Sequence, residues 1–211
     1  MFKRYLLLMA GLLFQGIGVA FTKHGELGVS PISSVANVMS CKFTEISLGT
    51  WLIIWNCVLI ICQIVILKRD FQIFQFLQIP LSVLFGCFTD FGMWLVAFIP
   101  VSNYIVKLVM LFIGIIILAF GITLSVIANV ILNSGEAVVK AVSDKSGKNF
   151  GDLKVAFDVS CVVIAVVLSL ILFKGQIFGT REGTIISALC TGIVVKFFTK
   201  SFQERIDGLL R

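Results

Sequence analysis

The chain has 211 residues, of which 59% are hydrophobic and only 13% charged, with a net charge of +6. A soluble domain carries about 25% charged and about 45–50% apolar residues, so a mean hydropathy of +1.09 excludes a soluble globular fold. With three prolines and long continuous apolar runs, collagen-like, disordered and outer-membrane-barrel classes are excluded too.

An apolar stretch of about 20 residues crosses the hydrocarbon core as a helix. The first is 5–22, preceded by Lys3 and Arg4. No small-residue cleavage site follows, which predicts a retained span rather than a signal peptide. Gly11, Gly16 and Gly18 along it suit close helix packing. Gly25 to Phe43 is too polar and too short to cross, and Gly25, Gly28 and Pro31 punctuate it. Ser30 is placed as an N-cap, with Pro31 at the first helical position. Spans follow at 48–67, 77–98 and 104–126. A second short polar segment, Asn133 to Ser143, has Ser134 as its expected cap and precedes spans at 155–173 and 183–200. Both short segments are expected as re-entrant or surface helices. Residues 201–211 read as a cytoplasmic tail able to form a short amphipathic helix.

Shifting the chain by 106 residues lays Lys68 on Lys174, Ile79 on Ile185, Gly86 on Gly192 and Phe91 on Phe197. The order span, short helix, span, span recurs as well. The expected fold is therefore an all-α polytopic membrane protein of about six spans. Residues 1–103 form a first three-helix repeat, 104–200 a second, and 201–211 the tail, within one membrane domain. Three spans per half is an odd number, so the halves should be inverted, with any binding site at their interface near the midplane.

With the N-terminus inside, 12 of the 17 Lys and Arg residues fall on the inner side and 5 outside. The positive-inside rule then places both termini in the cytoplasm. No Lys/Arg block with interleaved aromatics occurs, so nucleic acid is not an expected partner. The expected partners are the lipid bilayer and a small solute, and a homodimer stays open. The six cysteines form no CxxC pair or Cys/His cluster; neither a metal nor a cofactor is expected, and the cysteines read as apolar fillers.

Asp90 is the sharpest single residue, because a carboxylate at membrane depth costs about 2.5–3.5 kcal/mol on insertion scales. Its counterpart under the shift is Lys196. The pair reads either as a structural ion pair or, at Asp90, as a proton- or ion-coupling carboxylate or substrate contact. The interrupted segments supply the other candidates. Ser30 and Pro31 in the first half, and Ser134 and Glu136 in the second, mark helix ends whose free N–H groups attract anions. Asn37 and Asn129 are polar residues beside apolar runs, suited to substrate contact or to interhelical hydrogen bonds. Asp158 and His24 read as solvated near the interfaces. No GxSxG, HExxH or P-loop pattern occurs, and one histidine offers little as a base; no enzymatic activity is expected.

Several of these stretches together resemble the YczE/YyaS/YitT family of bacterial integral membrane proteins. They are Gly16-Ile-Gly-Val-Ala20, Gly25-x-x-Gly28-Val29-Ser30-Pro31, Leu48-Gly-Thr-Trp51, Gly86-x-x-x-Asp90 and Gly179-Thr180-Arg-Glu-Gly183-Thr184. That family often repeats a Gly-x-x-Pro-x-Asp pattern in its second half, whereas Gly135 to Lys140 here lacks both the proline and the aspartate. The resemblance implies a bacterial inner-membrane protein of roughly six helices and names no substrate. Two functions are open on the sequence. One is a small secondary transporter or solute-binding permease for a small anionic or zwitterionic metabolite, with one half rocking against the other at a site where the short helices approach Asp90. The other is a non-transporting membrane scaffold or regulator that acts through a protein partner.

Overall fold

The computed structural model describes residues 2–210, with side chains described throughout except at 151 and 204–210. Among the described residues the fold is all-α, without strands. The helices are α1 (Phe2–His24), α2 (Pro31–Lys42), α3 (Leu48–Leu67), α4 (Gln78–Val96), α5 (Tyr104–Ala128), α6 (Ser134–Ser146), α7 (Phe150–Leu172) and α8 (Glu182–Leu210). Two 3-10 segments, Lys68–Asp70 and Ile73–Leu77, join α3 to α4. All except α2 and α6 are in segments long and apolar enough to cross a membrane. The chain is an all-α polytopic membrane protein. Two boundaries differ most from expectation: α7 starts at Phe150 rather than at 155, and α8 does not stop at 200 but runs to Leu210, so the expected tail continues the last helix. Its amphipathic character falls on side chains outside the described residues.

The antiparallel pair α1–α5 forms the centre. Lipid gives helices little hydrophobic reason to associate, so contact depends on small residues that let backbones approach. Gly11 lies against Gly121, and Gly18 against Gly114 and Leu118; a Cβ on Gly18 would stand 2.5 Å from the Leu118 nitrogen. Arg4 donates to the Ala128 carbonyl at 3.2 Å at one end of this pair. At the other end Lys107 pairs with Glu26. The face of the bundle where α1 begins is called here the first face, and the one where it ends the second.

The remaining helices pack in matching pairs. α4 lies on α1, with Gly16 against Phe88 and Thr89, and α8 lies on α5, with Ile186 and Cys190 on Leu111 and Ile115. Each short helix crosses to the opposite half. Val35 and Val38 of α2 pack on Ala165 of α7, while Gln63 of α3 donates to the Ser134 carbonyl of α6 at 3.2 Å.

Neither short helix lies on the surface. Ser34, in the first turn of α2, is hydrogen-bonded to the carbonyl of Cys161, halfway along α7. From there α2 climbs back to the second face, where Lys23 donates to Cys41 Sγ at 3.0 Å. α6 starts beside Gln15, inside the bundle, and returns to the first face, where Lys145 pairs with Asp70. Backbone outliers recur in the same places. Glu26 (φ 57°) follows α1 and Asn129 (φ 46°) follows α5, while Lys68 (φ 50°) ends α3 and Lys174 (φ 54°) lies just beyond α7. One pairing breaks the pattern. α3 and α4 pack along their length, whereas α7 and α8 make at most isolated contacts.

Candidate functional site

The first turns of α2 and α6 meet inside the bundle. A Cβ on Gly135 would stand 2.9 Å from Ile32 Cδ1. Around this meeting point lies a cavity of about 350 Å³, within the usual range for small-molecule sites. Its wall is apolar along Val19, Leu52, Trp55, Phe85, Leu118 and Ile122. It is polar at Gln15, Ser30, Ser33, Asn56, Asn133, Glu136, Lys154, Asp158, Ser187 and Thr191.

Neither helix end is capped in the ordinary way. Ser30 is the N-cap of α2, as expected, but its hydroxyl donates to Ser33 Oγ at 3.0 Å instead of accepting from the backbone. Pro31 has no N–H to offer, and the N–H of Ile32 has no side-chain cap. In α6 the cap is Asn133, one residue before the expected Ser134. Asn133 has the extended backbone of an N-cap and turns its amide away to donate to Gln15 Oε1 at 3.2 Å. Gln15 in turn donates to Ser125 Oγ at 2.8 Å and to the Gly121 carbonyl at 3.3 Å. Two helix N-termini, each a centre of positive partial charge, therefore converge on one cavity.

Glu136 stands in the first turn of α6, which is not one of the six spans. Its side chain is half-buried by surface exposure because it opens on the cavity, yet protein surrounds it. Burial holds its carboxyl above the usual carboxylate range; Lys154 opposes that, Asp158 reinforces it and the Asn133 backbone N–H opposes it. Lys154 and Asp158, one turn apart on α7, pair at 2.5 and 2.7 Å. The cavity thus holds two carboxylates and one ammonium, with Ser187 and Thr191 hydroxyls on the α8 side.

The expected residues do not all gather here. Ser30, Pro31 and Glu136 line the cavity. Ser134 lines a small adjoining pocket with Gln15 and Gln78. Asn37 is buried in α2 facing away, donating to the Gly179 carbonyl at 2.5 Å. It borders a separate vestibule of about 810 Å³ with Lys23, His24, Glu26 and Arg181. In that vestibule Glu26 is held below its usual range by its hydrogen bond to Lys107. His24 is not merely solvated, since its Nε2 stands 2.8 Å from the Ile99 carbonyl. Asn129 is exposed and lines none of these spaces. It ends α5 in the left-handed conformation that asparagine tolerates.

Asp90 and Lys196 do not pair. Asp90 accepts from the Ser47 hydroxyl at 2.6 Å and from the Gly49 N–H at 2.8 Å, so its carboxylate caps the start of α3 across the helix interface. Asp90 lies six residues before Val96, about 9 Å from the second-face end of α4 at 1.5 Å per residue. Lys196 lies 14 residues beyond Glu182, about 21 Å down α8 from that face. Lys196 is exposed, and Asp90 is not among the residues lining the central cavity.

Gln15 and Lys154 line the cavity without being singled out by the sequence, and Asp158 lines it although the sequence reads it as solvated. Gln15 is the one strongly polar side chain in the apolar run 5–21, and that isolation is its signal. Lys154 and Asp158 share a helix face at i,i+4 spacing, although Asp158 alone reads as interfacial.

Residues 2–200 match a family of unknown function, DUF6198, and the chain belongs to that family. No curated protein and no solved structure matches the chain.

Proposed function

We propose that this member of the DUF6198 family is a small secondary transporter or solute-binding permease, and that its solute is a small zwitterionic or anionic metabolite. The observation that carries this reading is the convergence of the α2 and α6 first turns on a charged central cavity. Paired interrupted helices with their N-termini at such a site recur among transporters built from inverted repeats. The matching packing of the two halves supports an inverted duplication here, and the resemblance to the YczE/YyaS/YitT family fits the same plan.

The chemistry favours a zwitterion over a simple anion. A carboxylate suits the uncapped start of α2, while an ammonium suits Glu136 and Asp158. A solute bearing only negative charge would meet both carboxylates with Lys154 already engaged. The excess of Lys and Arg near the span ends on the first face supports a cytoplasmic first face carrying both termini, in a bacterial inner membrane. The alternative, a membrane scaffold acting through a protein partner, draws on α8, the span with the smallest buried share of the six.

The test is thermal stability of the detergent-purified chain against a panel of amino acids, betaines and small carboxylates. A ligand at about 100 times its Kd adds roughly 2.7 kcal/mol to the folded state. The transporter reading expects a stabilising solute whose effect disappears in Glu136→Gln and in Asp158→Asn, both still folded. A panel that shifts nothing, with copurification of a stoichiometric protein partner, favours the scaffold.

A further inference from the structure

We infer that the cleft between α7 and α8 is the open gate of the central cavity, and that the α3–α4 seam is its shut counterpart, latched by Asp90. This deepens the transporter reading and rests on it.

The seam is closed by backbone contact. A Cβ on Gly86 would stand 2.6 Å from the Gly49 carbonyl oxygen, and one on Gly49 would collide with the Gly86 carbonyl. Towards the second face the Asp90 carboxylate holds the first turn of α3 through Ser47 and Gly49. Towards the first face Gln63 and Gln78 exchange two amide hydrogen bonds, each of 3.0 Å. The seam is pinned at both ends and along its middle.

The cleft has none of these fastenings. Gly192 stands 106 residues after Gly86, and nothing lies within 4 Å of where its Cβ would be. Val155 stands 106 residues after Gly49 and lines the cavity with Gly192. The position of the latch is taken by Lys196, which is exposed. Near the second face the end of α7 is tied to the loop that leads into α8. There Phe173 stacks on Phe178 at 4.7 Å, and Ser169 exchanges hydrogen bonds with Phe178. From that tie the helices part, and Lys154 and Asp158 of α7 look into the opening.

The two arms therefore share one plan in opposite senses. The seam is tied by its loop at the first face and shut at the second; the cleft is tied at the second and open at the first. If the arms exchange roles, the cavity changes the face to which it opens, which is the two-state rearrangement that a carrier needs. Asp90 acts here as a positioning residue that sets which arm is shut, without touching solute.

The test uses the full-length protein in detergent and needs no solute. Gly192→Cys puts a thiol in the cleft, where its alkylation by a water-soluble maleimide reads opening, with native cysteines as background. Combined with Val155→Cys, it forms a disulfide only when the cleft shuts. Two seam changes are then compared: Gly49→Ala, whose methyl wedges the helices apart, and the milder Ser47→Ala, which removes one donor to Asp90. Each should lower the alkylation rate and raise the 155–192 disulfide yield by about threefold or more, as expected when a two-state balance shifts. Unchanged alkylation and disulfide yield in a folded Ser47→Ala protein overturn the gate. A responsive cleft with no solute hit keeps the gate and discards transport, whereas a solute hit with an unresponsive cleft does the reverse.

Discussion

The helix pairs α3–α4 and α7–α8 hold the same place in the two halves of the chain, yet one is a fastened seam and the other an open cleft. Hydropathy does not separate them, because all four segments are apolar enough to cross a membrane. What separates them is a few residues. Glycine faces glycine at 49 and 86, where the second half has Val155 and Gly192, and aspartate stands at 90 where the second half has lysine. In a membrane the backbone approach decides whether two helices adhere. Valine in place of one glycine makes that approach less close in the second half.

The comparison is broken most directly by filling the two glycine positions. Gly86→Val should lower the stability of the purified protein by about 1–3 kcal/mol or more, as overpacking does. Gly192→Val should stay within about 0.5 kcal/mol. Equal effects in thermal melts would erase the distinction between seam and cleft. Next in size is the latch. Asp90→Ala leaves the start of α3 without its charged acceptor and should cost about 1–2 kcal/mol, while Lys196→Ala should leave the melting temperature unchanged.

Glu136 gives a smaller, pH-dependent contrast. Its folded pKa is raised, chiefly by burial. Its contribution to stability is therefore fully present below the unfolded value near 4.5 and is lost as pH rises through the folded pKa. Glu136→Gln should melt higher than the parent at pH 8, and the gap should close as the pH approaches 4. Glu26 has the opposite sign and the smallest effect. Lys107 lowers its pKa, so the stability it lends is present above the unfolded value and lost on acidification through the folded pKa. The Glu26 side chain is largely exposed, and Glu26→Gln should shift the melt at neutral pH only slightly.

The spans and the two short helices were legible in the sequence because hydropathy and Gly/Pro punctuation are local properties. Pro31 sits at the first position of α2, and the α6 cap was misplaced by a single residue, from Asn133 to Ser134. The partner of Asp90 was not legible. The 106-residue shift relates Asp90 to Lys196, but equivalence under a two-fold operation brings two residues together only if they lie near the axis, and these lie at different depths. The true partners, Ser47 and Gly49, are backbone and hydroxyl donors at a helix start, which no charge pattern announces. Lys154 and Asp158 were obscured for a related reason. Their spacing shows that they share a face but not that the face turns inward, and α2 decides that by packing farther along the same helix. Gln15 needed the same tertiary knowledge, since its partners lie more than 100 residues away.

The glycine-lined contact between α1 and α5 also bears on how the chain is made. Synthesis proceeds from the N-terminus, so α1 enters the bilayer while α5 is still untranslated. Until α5 arrives, Gly11 and Gly18 have no backbone to meet, and Gln15 has neither Ser125 nor Gly121 to satisfy its amide. The first four helices are in this sense an unfinished assembly, held open at its centre by missing partners. A ribosome stalled after α4 would leave the Gln15 amide without these partners, which makes the emergence of α5 the step that completes the central pair.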